Sequence, residues 1–289
     1  MTDQHPTVAT AAPRTAGAEH VIEATALAEA TADAAGIAVA ELGTIEEMTE
    51  ACALLDHIWR PDPGDPLITL KLLKGLSHSG SYVAGVFADG KLAGACVGFL
   101  ASDGLHSHIA GIDSTLRGRH AGLALKLHQR AWALRRGIGL ISWTFDPLVS
   151  RNAYFNLTKL GAVPTQYLAN FYGAMHDEIN AGTETDRLLV HWDLTSGVAA
   201  PPVDGALDRA VDGLSVGPDG GPVRGRVDGR RVLVAVPADI ERLRRADPAA
   251  AGRWRAATRE VLGGLMATGH TVTGFTRDGR YVIEGQDER

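Results

Sequence analysis

Cysteine is nearly absent from this chain. Cys52 and Cys96 are the only two in 289 residues, and each sits in an apolar stretch. Neither a disulfide framework nor a cysteine metal site can be built from them, and they read as small buried hydrophobes of a reducing compartment. Long apolar runs are missing as well. No segment approaches the roughly 20 apolar residues that span a bilayer. The first forty residues hold no apolar core flanked by basic residues, so neither a membrane anchor nor a signal peptide is expected, and a cytoplasmic location is. Positive charge is not in surplus either. With 28 Lys and Arg against 34 Asp and Glu, the formal charge of -6 argues against general nucleic-acid binding, although 106–136 is locally basic. No internal repeat is evident. What remains is an ordinary soluble composition, 45% hydrophobic, long enough for one large or two small domains.

Taken in order, residues 1–36 are rich in Ala and Thr and poor in large apolar side chains. They read as an arm with a disordered start and a weak helix over 19–35. A strand is expected at 37–42. Thr44 and Glu47 then form a Thr-x-x-Glu capping box, and the helix it opens stops at the proline-rich 60–66. A second helix covers 67–76. Strands at 82–88 and 92–101 are joined by Asp89-Gly90, a two-residue hairpin signal, and a third strand covers 106–112. A helix follows, then a strand at 140–145 that a crossover makes parallel to 106–112. A short helix over 151–160 and strands at 163–172 and 188–194 close a domain spanning 37–195. The Gly/Pro/Asp-dense 196–229 reads as a linker. A strand–helix–hairpin unit at 230–289 is too small for an independent core and is expected to pack on the first domain.

The chain is organised around Ile112–Gly139. A strand ends, a basic glycine-containing turn follows at 117–122, and a helix begins with Leu123, Leu127, Ala131 and Leu134 on one stripe and Lys126, Arg130 and Arg136 largely off it. Unpartnered N–H groups at a helix start, the helix dipole and two arginines together favour a phosphate or pyrophosphate.

This strand–turn–helix–strand order resembles the coenzyme A-binding core of the GCN5-related N-acetyltransferases (GNATs), whose pyrophosphate loop reads Arg/Gln-x-x-Gly-x-Gly/Ala. Two registers fit: Arg117 to Gly122, with His120 in place of the first glycine, and Arg119 to Ala124, which matches every fixed position. The first is preferred, with His120 tolerated where φ stays negative. The resemblance implies an α+β fold, a mixed and mostly antiparallel sheet with helices on both faces. It also implies an acyl-CoA co-substrate (acetyl-CoA or succinyl-CoA) and a small-molecule amine as acceptor. Arg117, Gly118, Arg119, His120, Ala121, Gly122 and Leu123 would hold the pyrophosphate. A backbone N–H near Gly111 and Ile112 would hold the thioester carbonyl, and Asn152 and Asn156 would bind the pantetheine amides. The run from about 80 to 194 also looks like a branch of predicted acyltransferases with a C-terminal extension, some implicated in amino-acid N-succinylation. A homodimer is compatible with this picture.

Acyl transfer to an amine needs a polarised carbonyl, a neutral amine and a proton for the leaving thiolate. His106 and His108, two apart on one strand, share a face and are candidate bases, His108 ahead of His106. Metal binding by the pair is not expected, since no third ligand has recognisable spacing. Where the resembling family carries its tyrosine general acid, shortly before Lys159-Leu160-Gly161, this chain has Leu157. Tyr154, on roughly the same face, is the substitute. Arg151 is a candidate clamp for a carboxylate of donor or acceptor, with Asp146 beside it. Two other readings stay open: a degenerate fold that senses acyl-CoA, which Leu157 and His120 would permit, and a structural or partner-binding subunit.

Overall fold

The computed structural model of the chain describes residues 17–62, 64–173, 184–196, 207 and 209–285. Local signals start most elements where the pattern places them. Strand β1 (Ala38–Glu41) is followed by the Thr44–Glu47 capping box, intact in both directions, which opens helix α2 (Ile45–Trp59). Thr69 caps α3 (Leu70–His78). Strands β2 (Tyr82–Ala88) and β3 (Lys91–Ala101) meet at Asp89-Gly90, both with positive φ, as a two-residue hairpin of this sense requires.

Strand β4 (Gly104–Ile112), helix α4 (Ala121–Arg135) and strand β5 (Leu140–Phe145) form the crossover unit. Helix α5 (Ser150–Ala153) runs directly into a π-helical segment, Tyr154–Lys159, and strands β6 (Val163–Leu168) and β7 (Arg187–Asp193) complete the first sheet. Its order is β1-β2-β3-β4-β5-β7-β6, antiparallel throughout except for β4 beside β5. The expected mixed, mostly antiparallel α+β sheet is present. Helices α2 and α3 cover one face through Met48, Leu55 and Leu73, while α4 packs on the other through Leu125 and Trp132.

One reading of the sequence is extended and two are corrected. The helix expected over 19–35 is present as α1 (Ala18–Ala35), 18 residues long, and its Ala24, Ala28 and Ala35 enter the core against α4; the start expected to be disordered, residues 1–16, lies outside the described part. Small side chains let two helices approach closely, so a stripe of alanines does here what larger residues usually do, and no strong apolar pattern announces it. Because α4 is enclosed between α1 and the sheet, Lys126 and Arg130 are buried rather than off the packed stripe. The 196–229 segment is not all linker. Val211–Val216 (β8) and Pro222–Arg224 (β9) are strands, joined by a turn in which Gly217 donates to Gly221 at 2.8 Å. Gly217, Gly220 and Gly221 make the tight hairpin turn.

With β10 (Arg231–Ala235), β11 (Thr271–Phe275) and β12 (Arg280–Glu284) these form a second sheet, ordered β11-β12-β10-β8-β9. Helices α6 (Ile240–Ala246) and α7 (Pro248–Thr258) pack with it, and a π-helical turn, Arg259–Gly263, leads on to α8 (Gly264–Ala267). Trp254, Phe275 and Tyr281 belong to the same contiguous core as Trp132, Trp143 and Trp192, so the two sheets share one interior. Polar ties cross the seam. Tyr281 donates to the Pro147 carbonyl at 2.8 Å, and Thr158 to that of Phe275 at 3.1 Å.

Candidate functional site

The parallel pairing of β4 and β5 is brief: only Leu105 with Ile141 and His106 with Ser142 are in register. Beyond that point the strands separate. A bulge marks the same place, because Gly98 pairs with Ser107 and Val97 with Ile109, leaving His108 as the extra residue. An inserted residue has no ladder partner and bends its strand. The gap therefore opens at Ser107–His108, nearer the strand's start than the Gly111–Ile112 backbone assigned to the carbonyl. Gly111 serves packing: a Cβ there would meet Ile58 at 3.0 Å and Leu55 at 3.2 Å, so glycine lets α2 lie close to the sheet. Ile112 is half-buried against the core.

At the other end of the gap, Ser114–Leu116 makes a 3-10 turn and the chain passes through exposed Arg117, Gly118, Arg119 and His120 into α4. The amides of Arg117 and Arg119 bond back to Ser114 and Leu116, and those of Leu123 and Ala124 to His120. The amides of Gly118, His120, Ala121 and Gly122 are left as donors for an anion at the helix start. His120 has φ +60°, in the left-handed region, contrary to the expected negative φ. Histidine is tolerated there at modest cost. Arg119 is corrected too. Its guanidinium donates to the carbonyls of Ala35 at 2.9 Å and Gly36 at 3.2 Å, closing the C-terminus of α1. Arg117 is left as the loop's exposed cation.

His106 and His108 lie together, ring centroids 6.2 Å apart, with Phe99 beside both. His106 Nδ1 is 3.2 Å from Ser142 Oγ, bridging the last paired residues of the fork. Burial, then His108 and Lys126, lowers the pKa of His106, and desolvation lowers that of His108. Both are neutral at pH 7 and able to accept a proton, and exposed His108 is the better placed.

The second segment departs further from expectation. Asp146 is taken up by partners within the chain. It is buried, takes Arg255 in bidentate fashion at 2.7 and 2.8 Å, accepts from Arg244 and from the Leu148 amide, and is held well below the usual carboxylate range by those arginines despite its burial. Arg151 likewise pairs in bidentate fashion with Glu241, at 2.7 and 2.6 Å. Both residues expected at the substrate instead join the first sheet's unit to α6 and α7. Nothing near Asp146 or Arg151 in the sequence shows that two arginines and a glutamate 90 to 109 residues further on would claim them. Leu157 is buried in the core. Tyr154 is half-buried, with Lys159 Nζ 6.0 Å from its ring. Asn156 is buried and Asn152 half-buried on the same segment.

Residues not singled out from the sequence also converge on the fork. Lys126 is buried at the apex of the gap. Its Nζ donates to Ser107 Oγ at 2.8 Å and to Gln129 Oε1 at 3.2 Å, and lies 4.1 Å from the Trp143 ring centre. Burial brings its pKa from 10.5 down to about 8. Trp59 Nε1, beside Gly111, is buried and has no hydrogen-bond partner among the described residues. The signal was present in part: a lysine inside a stretch of Leu and Ala invites the question of what it faces.

The lysine has a measurable consequence for stability. Its folded pKa lies below its unfolded one, so the unfolded chain binds more protons between pH 8 and 10.5, and stability rises with pH across that window. Below pH 8 the cost of burying the ammonium is fully present, roughly 3 kcal/mol. Lys126→Met is expected to unfold at an equal or higher urea concentration at pH 7 and to lack the rise between pH 8 and 10.5. Parallel pH profiles for the two proteins would contradict this.

Among the described residues no group of three or more His, Cys, Asp or Glu side chains could hold a metal ion, and no helix is long and apolar enough to cross a membrane. No family model and no curated protein matches the sequence. Solved structures do resemble part of the chain. The ribosomal-protein-S18-alanine N-acetyltransferase from Escherichia coli is 15% identical, with a TM-score of 0.44 over 56% of this chain and 96% of its own. An N-acetyltransferase from Staphylococcus aureus Mu50 is 12% identical, with a TM-score of 0.46 over 55% of this chain and 98% of its own. A putative acetyltransferase from Salmonella typhimurium with its cofactor acetyl-CoA is 12% identical, with a TM-score of 0.45 over 58% of this chain and 99% of its own. These are likenesses of shape over little more than half of this chain.

Proposed function

We propose that the chain is an N-acyltransferase that moves an acetyl or succinyl group from coenzyme A to the amine of a small molecule such as an amino acid. The observation that carries this reading is the forked β4/β5 pair, with a helix start that leaves amides unbonded at its open end and a histidine pair at its apex. The pyrophosphate would sit on the amides of Gly118, His120, Ala121 and Gly122 and on Arg117. The pantetheine would lie along β4 in the gap, and the thioester would reach the bulge at His108. Neutral His108 would take the proton of the attacking amine. Arg151 no longer supports one donor over the other, because Glu241 occupies it.

The two arginines of the loop separate by role. Arg117→Ala removes a charge-assisted contact of about 1.5–3 kcal/mol and is expected to weaken CoA binding tenfold or more, with the melting temperature unchanged. Arg119→Ala is expected to lower the melting temperature by freeing the end of α1, with a smaller effect on CoA. Calorimetric titration with CoA beside thermal unfolding measures both. Unaltered affinity in Arg117→Ala would remove the phosphate from this loop.

A further inference from the structure

The reaction requires a proton for the departing thiolate, and the residue at the position of the resembling family's tyrosine, Leu157, is apolar and buried. From the structure we infer that Lys126, acting through the hydroxyl of Ser107, is the proton source for the leaving thiolate. This rests on the acyl-transfer reading above. Ser107 and Trp143 are the first residues past the last β4/β5 pair, and the Lys126 ammonium touches both. From Ile112 back to Ser107 the strand runs roughly 17 Å, a distance an extended pantetheine arm covers. A thioester entering from the phosphate turn therefore has its sulfur near the Ser107 hydroxyl.

The surroundings of the ammonium are neutral on every side: Ser107 and His106 from β4, Cys96 from β3, Gln129 from its own helix and Trp143 from β5. No carboxylate among the described residues lies within salt-bridge distance. A cation buried without a counter-ion is costly, and a methionine would fill the space. An amine whose acidity is tuned by burial towards that of a thiol is suited to giving that thiol its proton.

The step balances. The neutral amine attacks the thioester carbonyl and forms the C–N bond, and its surplus proton passes to His108. The C–S bond breaks, the Ser107 hydroxyl gives its proton to sulfur, and Lys126 restores that proton to Ser107. Free CoA and the amide leave. Lys126 is left neutral and regains a proton as His108 releases one.

The test is the pH profile of kcat for wild type, Lys126→Met, Ser107→Ala and Ser107→Thr, with CoA binding by calorimetry as the check that each variant is folded. In wild type, kcat should fall as pH rises above about 8. Lys126→Met and Ser107→Ala should each lower kcat by roughly a hundredfold with KM for acyl-CoA within threefold, and the alkaline fall should vanish in Lys126→Met. Ser107→Thr, which keeps the hydroxyl, should recover most of the loss. Should Lys126→Met fail to fold, the two Ser107 variants decide the matter. Variants that keep kcat within threefold, or an alkaline fall that persists in Lys126→Met, overturn the inference while leaving the acyltransferase reading in place. A wild-type protein that binds CoA but turns over no thioester overturns both.

Discussion

Asp146→Asn is expected to cost about 3–5 kcal/mol of stability, the usual consequence of removing one partner from a buried ion pair. For a chain of this size that is a fall of roughly 10 °C in Tm. The carboxylate holds Arg255 by both of its oxygens, meets Arg244 as well, and all three side chains are almost wholly shielded from water. An asparagine fits the space but withdraws the negative charge from both guanidinium groups, and the buried Arg255 loses its bidentate carboxylate. The pH dependence follows from the depressed carboxyl pKa. Stability from this group is present above the unfolded pKa near 4 and is lost as pH falls towards the folded value, so the variant should show a shallower acid transition. Arg151→Met provides the contrast. Its pair with Glu241 is solvent-exposed on the arginine side, and its loss should cost less than about 1 kcal/mol. Urea unfolding of both variants, at pH 3 to 7, checks the pair. A loss below 1 kcal/mol for Asp146→Asn would mean that the second sheet is held by its apolar seam alone.

His108→Ala is expected to lower turnover by roughly a hundredfold at pH 7, the size of a general-base contribution. His108 sits on the bulge where the strands part, and its lowered pKa keeps it neutral at that pH. The loss should shrink at high pH, where more of the acceptor amine is already deprotonated. His106→Ala should cost less, since that ring bridges to Ser142 across the closed end of the fork. A His108→Ala protein with normal turnover at pH 7 would return the residue to a purely structural role.

The strand–turn–helix–strand core was legible because its signals are local: a capping box at Thr44, a hairpin turn at Asp89-Gly90, and a basic glycine turn before α4. What escaped depends on tertiary contacts. Asp146 and Arg151 carry charge at the end of an apolar strand, which locally reads as ligand chemistry. Their partners Arg255, Arg244 and Glu241 lie in a unit whose docking no short-range pattern specifies. Arg119 looked like half of a phosphate clamp, yet it closes the end of α1, a helix that its own composition barely announces. Strands β8 and β9 hid inside a glycine-dense segment, of whose glycines Gly217, Gly220 and Gly221 make the tight turn between them. The histidine pair was legible from its spacing alone, because alternation along a strand puts residues two apart on one face.

The central claim is tested most directly by measuring CoA release from acetyl-CoA and succinyl-CoA by the wild-type chain across a panel of amino acids. Saturable release that requires both the thioester and an amine, and that weakens tenfold or more in apparent acyl-CoA affinity in Arg117→Ala, is the predicted result. A folded protein that neither binds CoA nor releases it from either thioester would contradict the account.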